Sequence, residues 1–151
     1  HIGILLRIAR VYCPNEEDRQ DLIQEMMIQI WRSLHKYNDQ FKMSTFLYRI
    51  SLNVAISYYR RNKTRTHQRG ILNEQTLQIP ADDSSGNEQQ LKLLKQFISE
   101  LKEIDKALML LYLEDKSYAE IAEILGITIS NVGTKVGRTK ANLKTQFSQL
   151  K

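Results

Sequence analysis

Residues 118–132 read Tyr118-Ala119-Glu120-Ile121-Ala122-Glu123-Ile124-Leu125-Gly126-Ile127-Thr128-Ile129-Ser130-Asn131-Val132, and this stretch decides the fold. Ile121, Ile124 and Leu125 supply the apolar face of a short helix. Ala119 and Ala122 are small where a second helix must cross closely. Gly126 permits the positive φ that ends a helix sharply, and Ile127 plugs the turn. Thr128 can cap a second helix over about 129–147, with Val132 and Val136 holding it against the first. Two helices joined by a tight, glycine-containing turn form a helix-turn-helix. A helical hairpin without a ligand is the bland alternative. The exposed side of the second helix argues against it.

That side carries Ser130, Asn131, Thr134, Lys135, Arg138, Lys140 and Lys144, and residues 128–151 contain no acid at all. Hydroxyl and amide groups near the helix start can reach base edges in a major groove, and the later cations suit phosphates. A merely solvated helix would mix Glu among its Lys.

Working back along the chain, Leu91, Leu94, Phe97, Ile98 and Leu101 line one further helix, and residues 107–113 form an apolar one. Residues 63–90 lose periodicity, and the run Ile79-Pro80-Ala81-Asp82-Asp83-Ser84-Ser85-Gly86-Asn87 reads as a linker that separates two domains. Counted from 62 to 90, that connection has a contour of roughly 95 Å at about 3.3 Å per residue. Two turns of duplex span about 70 Å, so both domains could reach one site.

The first domain opens on Ile2–Tyr12, a helix ended by Cys13-Pro14. Asn15 is a good N-cap, and Glu16, Glu17 and Asp18 favour the positive end of the next helix dipole. Leu22, Ile23, Met26, Met27, Ile30, Trp31 and Leu34 then recur at three- and four-residue steps as its buried stripe. Residues 35–43 are polar and read as a loop. Ser44 is placed to cap a third helix, which runs to about Arg61 with Phe46, Leu47, Ile50, Val54 and Ala55 buried. Its remaining surface is expected to expose Tyr48, Arg49, Tyr58, Tyr59, Arg60 and Arg61.

Charge is sorted along the chain. Residues 1–70 carry a net +6, residues 71–100 −3 and residues 101–151 +2. Between 40 and 73 there are seven Lys/Arg and no Asp or Glu, which makes a second acid-free basic stretch. Two such stretches, each on a helix, point to two separate polyanion contacts. In the first, Phe41, Phe46, Tyr48, Tyr58 and Tyr59 lie among Lys42, Arg49, Arg60 and Arg61. Aromatic faces stack unpaired bases at roughly 1–3 kcal/mol each while cations track the backbone, which is the chemistry of holding a single strand. Burial in the core is the competing reading for Phe46 and some of the tyrosines.

Other functions are poorly served. The 42 % hydrophobic and 26 % charged composition is that of a soluble globular chain, and no apolar run approaches the roughly 20 residues that span a bilayer. One cysteine, Cys13, excludes an internal disulfide, and with only His1, His35 and His67 there is no metal-ligand spacing. Cys13 reads as structural and the compartment as a reducing cytoplasm. No metal or cofactor is implied. An enzyme, for example a metal-dependent nuclease, would need convergent acids, and these sit instead at helix starts and on one exposed face. The N-terminus has no secretory pattern, because Arg7 and Arg10 interrupt its apolar run. Starting at His1 in mid-helix, the chain is expected to lack a natural N-terminal segment.

Asp21-Leu22-Ile23-Gln24-Glu25, Trp31-Arg32, Phe46-Leu47-Tyr48-Arg49-Ile50 through Asn53, Tyr58-Tyr59-Arg60-Arg61 and finally Ser117-Tyr118 through Gly126 resemble an extracytoplasmic-function sigma factor, of the bacterial sigma-70 family. The resemblance covers nearly the whole chain except the linker. It implies an all-α architecture of two small helical domains on a flexible linker and no catalysis. Residues 1–69 would be sigma region 2, residues 70–90 the linker and residues 91–151 sigma region 4. It implies core RNA polymerase, promoter DNA (duplex and single-stranded) and an anti-sigma factor as partners. Asp21, Gln24, Glu25, Gln29 and Arg32 would bind the polymerase clamp, a face that composition alone would leave solvated. Tyr37, Asn38, Lys42, Ser44, Phe46, Tyr48, Asn53, Tyr58, Arg60 and Arg61 would capture and melt the −10 element. Base flipping into such a site costs a few kcal/mol of unstacking. Thr128, Ser130, Asn131, Thr134, Lys135, Arg138 and Lys140 would read the −35 element.

Several positions depart from the family pattern. Phe46 stands where Trp is usual, Ser57 where an acid is usual, Gly133 where a basic residue is usual, and Gly137 near a usual Arg or His. Each glycine costs about 1 kcal/mol in the helix relative to Ala. A helix-turn-helix regulator acting without polymerase is the alternative reading, but it leaves the Asp21–Glu25 motif and the Tyr/Arg helix without a role. If both basic faces touch phosphates, log affinity for DNA falls with log salt by about 0.9 per phosphate neutralised. An anisotropy titration across salt concentrations should give a steep slope, and a flat response contradicts the two-face reading.

Overall fold

Pro14 sets the first corner. Its ring disfavours helical backbone at the residue before it, and Cys13 is accordingly extended, at φ −130° and ψ 104°. Asn15 then caps the second helix by accepting the Glu17 N–H at 2.9 Å. In a computed structural model of the chain, residues 1–69 and 86–149 are described, with side chains over 1–63 and 88–149. The described residues form seven α-helices and one 3₁₀ turn, with no strand. The helices are α1 (Ile2–Tyr12), α2 (Glu16–Ser33), α3 (Met43–Arg69), α4 (Gly86–Glu100), α5 (Glu103–Leu113), α6 (Tyr118–Leu125) and α7 (Ile129–Ser148).

The helix-turn-helix is formed as its residues suggest. Ser117 accepts the Glu120 N–H at 3.1 Å and starts α6. Gly126 ends α6 in the left-handed region at φ 70°, and Thr128 starts α7 by accepting the Asn131 N–H at 3.1 Å. Ile121, Ile124, Val132 and Val136 are buried between the two helices. Ala119, however, is exposed, so only Ala122 serves the close crossing.

One core runs through both halves of the chain. Ile4, Leu5, Ile8, Ala9 and Tyr12 of α1 meet Leu22 and Met26 of α2 and Leu47, Tyr48, Leu52 and Ala55 of α3. Ala107, Leu108 and Leu111 of α5 join the same cluster, and α5 packs on α1 and α3 as well as on α6 and α7. The N-terminal three-helix block and the C-terminal block are therefore in direct contact.

Several expectations are corrected. Helix α2 buries only Leu22 and Met26 fully, and Met27, Trp31 and Leu34 are 52, 79 and 46 % exposed because no described helix covers their side of α2. Met43 opens α3, so Ser44 lies inside its first turn and is not its cap. Tyr48 is buried, because the C-terminal block covers its side of α3. Helix α3 continues beyond Arg61 to Arg69, since residues 62–69 contain no Pro or Gly to stop it, and α4 begins at Gly86 rather than at 91. Of the expected linker, residues 70–90, the segment 70–85 lies outside the described residues. Its contour is at most about 55 Å at roughly 3.3 Å per residue, shorter than two turns of duplex.

The two unusual glycines of α7 differ in kind from Gly126. A Cβ at Gly137 would meet nothing within 4 Å, and one at Gly133 would touch the Tyr118 ring at 3.7 Å, an ordinary contact. Gly137→Ala should therefore raise stability by about 1 kcal/mol. Gly126→Ala, which forces a side chain into the left-handed region, should lower it by about 1 kcal/mol. Urea denaturation of both variants reads the opposite signs.

Candidate nucleic-acid interface

Helix α7 presents the expected polar face. Ser130, Asn131, Thr134, Arg138 and Lys140 are exposed along it. Thr128 spends its hydroxyl on the helix start, and Thr134 donates its own to the Ser130 carbonyl at 3.1 Å. Lys135 is half-buried with its ammonium 3.9 Å from an Asp105 carboxylate oxygen. The Lys140 ammonium lies 4.3 Å from the centre of the Tyr112 ring, and the Tyr112 hydroxyl raises its pKa. Ser130, Asn131 and Arg138 thus present unengaged polar groups along the helix, while Lys135 and Lys140 are steadied by the helix beneath.

The N-terminal basic stretch divides into three places. At the start of α3, the Tyr37 and Phe46 rings stand 5.1 Å apart, Tyr37 donates to the Phe41 carbonyl at 2.9 Å, and Arg49 lies 5.6 Å from the Phe41 ring. Asn38 and Lys42 are exposed beside this aromatic group, with Ser44 half-buried.

The second place is a trough between α2 and α3. An open groove of about 630 Å³ is lined by Glu25, Ile28, Gln29, Arg32, Asn53 and Arg61, among others. A second groove of about 370 Å³ continues it along Asp21, Gln24, Glu25, Tyr58 and Arg61. Arg61 spans the trough by pairing with Glu25 at 3.0 Å and lies 5.9 Å from the Tyr58 ring. The five residues expected to bind polymerase therefore share one trough with Asn53, Tyr58 and Arg61, which were expected to meet DNA. Exposed Ile28 and Trp31 add an apolar surface beside them. Periodicity hid Trp31, because an apolar residue at helical spacing reads as core, and Ile28 lay outside the stripe it picked out.

The third place faces the C-terminal block. The Tyr48 hydroxyl donates to Glu114, whose carboxylate also pairs with Arg7. Arg60 pairs with Glu103 at 2.8 Å, and this contact holds the Glu103 carboxyl below the usual carboxylate range. Tyr12 donates to the Glu103 backbone carbonyl, and its burial beside that carboxylate raises the phenol pKa. Lys106, only 3 % exposed, sits 4.2 Å from the Tyr59 ring centre and 5.9 Å from that of Tyr12. Desolvation lowers its pKa. Sequence reading missed Arg7, Glu103, Lys106 and Glu114. The one available signal was Lys106 itself, a cation at the head of an apolar run.

Cys13 is buried, and burial pushes its thiol up to about 12. Among the described residues no group of His, Cys, Asp and Glu could hold a metal ion. No described helix is long and apolar enough to cross a membrane.

Two family descriptions match the chain, "Sigma-70 region 2" over residues 1–65 and "Sigma-70, region 4" over residues 91–143. Among curated proteins it is 28 % identical over 153 residues to the RNA polymerase sigma factor CnrH of Cupriavidus metallidurans, covering 95 % of this chain and 80 % of that protein. It is 27 % identical over 135 residues to the ECF RNA polymerase sigma factor SigM of Bacillus subtilis, covering 86 % of this chain and 80 % of that one. Among solved structures, the sigma factor RpoE of Bartonella quintana, in complex with the anti-sigma factor NepR, matches with a TM-score of 0.73 at 19 % identity, over 97 % of this chain and 91 % of that one. CnrH in complex with the cytosolic domain of CnrY matches with a TM-score of 0.68 at 19 % identity, over 97 % of this chain and 82 % of that one. At that identity the two structures speak for the fold.

Proposed function

We propose that this chain, which belongs to the bacterial sigma-70 family as an extracytoplasmic-function RNA polymerase sigma factor, divides its work among the three surfaces described above. It directs core polymerase to promoters, with region 2 opening the −10 element and region 4 reading the −35 element. Region 2 is assigned to residues 1–69 and region 4 to residues 91–151, around a linker at 70–90.

The recognition helix α7 takes the −35 duplex. Ser130, Asn131, Thr134 and Arg138 are its base-edge and groove contacts, and Thr128, Lys135 and Lys140 steady the helix and meet phosphates. Its exposed, acid-free polar face is the observation that carries the reading.

Core polymerase takes the trough of α2 through Asp21, Gln24, Glu25, Gln29 and Arg32. Exposed Trp31 and Ile28 supply an apolar anchor beside these polar groups, the composition of a docking surface with a polar rim. The −10 strand takes Tyr37, Asn38, Lys42, Ser44 and Phe46 at the start of α3, Asn53, Tyr58 and Arg61 along its trough side, and Tyr48 and Arg60 on the side facing region 4. An anti-sigma factor is the remaining partner, as in the Bartonella quintana structural neighbour. The family is not enzymatic, and no catalytic role is assigned to any residue here. The site of action is the cytoplasm, where promoter and polymerase meet. A regulator acting without polymerase leaves the α2 trough and its exposed Trp31 unused, and nothing favours it.

Two experiments test this reading. On a sizing column the chain should co-migrate with bacterial core RNA polymerase, and Gln24→Ala/Glu25→Ala should not. A chain that shifts duplex DNA but never binds core would be a regulator instead. Lys135→Ala/Arg138→Ala should lose duplex binding, at about 1–3 kcal/mol for a base contact, while keeping polymerase binding. Loss of both activities would give α7 another job.

A further inference from the structure

Of the two glycines in α7, the protein itself accounts for only one. Gly133 lies beside the Tyr118 ring, which a Cβ would touch at 3.7 Å. Gly137 is exposed, does not have the positive φ of Gly126, and a Cβ there would meet nothing within 4 Å. Glycine inside a helix costs stability relative to alanine, and no contact among the described residues requires it at 137.

Residues three and four apart share a helix face, which sets Gly137 in a row with Ser130, Thr134 and Ala141. All four are exposed, opposite the buried row of Val132, Val136 and Thr139. Thr134 has committed its hydroxyl proton to the Ser130 carbonyl, at 3.1 Å. Ala141 has only a methyl group. Gly137 is therefore the floor of a shallow notch walled by Thr134 and Ala141, and the notch offers no hydrogen-bond donor. By the same periodicity Arg138 stands on one flank of it, and Lys140, 4.3 Å from the Tyr112 ring centre, stands on the other.

We infer that Gly137 is a specificity-determining residue of the recognition helix: its notch takes the C5-methyl group of one thymine in the duplex that α7 reads. This deepens, and rests on, the −35 reading of α7 proposed above. Thymine is the base that puts an apolar group into the major groove, and alanine and threonine methyls are its usual contacts. The donor and acceptor edges of the other bases would be left unpaired against this notch, which costs affinity. Cations on both flanks meet the phosphates of the two groove walls and hold the notch towards the groove floor. A side chain at 137 would occupy the space of the methyl.

The methyl can be moved from the base to the protein. The full chain, with and without core polymerase, would select a duplex from a library randomised over the −35 region. Each thymine of the selected duplex would then be replaced in turn by uracil, which deletes only the methyl, and affinity read by fluorescence anisotropy. At one position the native chain should lose about three- to fivefold, the worth of one buried methyl. At that position Gly137→Ala should bind the thymine duplex about three- to fivefold more weakly than the native chain does, and regain the loss on the uracil duplex. Thr134→Ser, which keeps the hydroxyl and removes the methyl wall, should narrow the preference for thymine. A change in stability alone cannot produce an exchange between two duplexes that differ by one methyl. The inference is overturned if no thymine is sensitive to the replacement, if Gly137→Ala binds the thymine duplex as the native chain does, or if it loses equally on both duplexes. Each of those results leaves the −35 reading in place. A selection that yields no shared −35 sequence overturns that reading and the inference with it.

Discussion

Helix α5 is the element on which the remaining structure depends. Ala107, Leu108, Met109 and Leu111 are all buried, and even Lys106 is covered, so the helix is enclosed on nearly every side. A helix that is apolar all round cannot sit on a surface and must lie between neighbours. On one side α6 and α7 close over it and complete the helix-turn-helix, and on the other α1 and α3 close over it and join the two halves. Hydrophobic burial is non-directional, so it specifies that α5 be covered but not by what. Part of that cover comes from within its own block, through α4, α6 and α7, and part from α1 and α3 of the N-terminal block.

This difference sorts the contacts by strength. Within the helix-turn-helix, Ile121, Val132 and Val136 are fully buried, and removing such side chains from a packed core costs about 1–5 kcal/mol each. Between the blocks, the directional contacts are partly exposed ion pairs and hydrogen bonds to tyrosines, worth about 0–1 kcal/mol each once solvent competes. Helix α7 is thereby held by buried apolar contacts, while the surface joining its block to the other carries partly exposed ionic ones. Rigid elements hold binding groups in place at low entropic cost.

Local signals carried most of the fold. Asn15, Gly126 and Thr128 each act through a backbone group within three or four residues, and so did the helix boundaries they predict. The helix-turn-helix was legible for the same reason. Exposure was not. Met27, Trp31 and Leu34 have the spacing of a buried stripe, and Tyr48 that of a surface aromatic, yet the first three are exposed and the last is buried. Periodicity tells which residues share a face, and only the neighbouring helix tells whether that face is covered. Composition likewise suggested that the polar run before α4 extended to residue 90, but Gly86 to Gln90 are helical because nothing in them prevents a helix that α5 can support. The candidate site was legible where it lies on one helix, as on α7, and illegible where it is made by two blocks meeting, as with Glu103 and Glu114.

The charge pattern explains why that meeting surface resembles a nucleic-acid site. From 40 to 73 the chain has no acid, so α3 cannot neutralise its own arginines from within the same stretch. Arg61 finds Glu25 on α2, and Arg60 finds Glu103 on α5. Both arginines are thus neutralised by carboxylates that are near in space but distant in sequence. Acids placed within α3 itself would be permanent neighbours and would weaken every phosphate contact. Acids on α5 reach α3 only across the surface where the two blocks meet. The absence of acids in one stretch and their position in another are therefore two halves of one electrostatic arrangement.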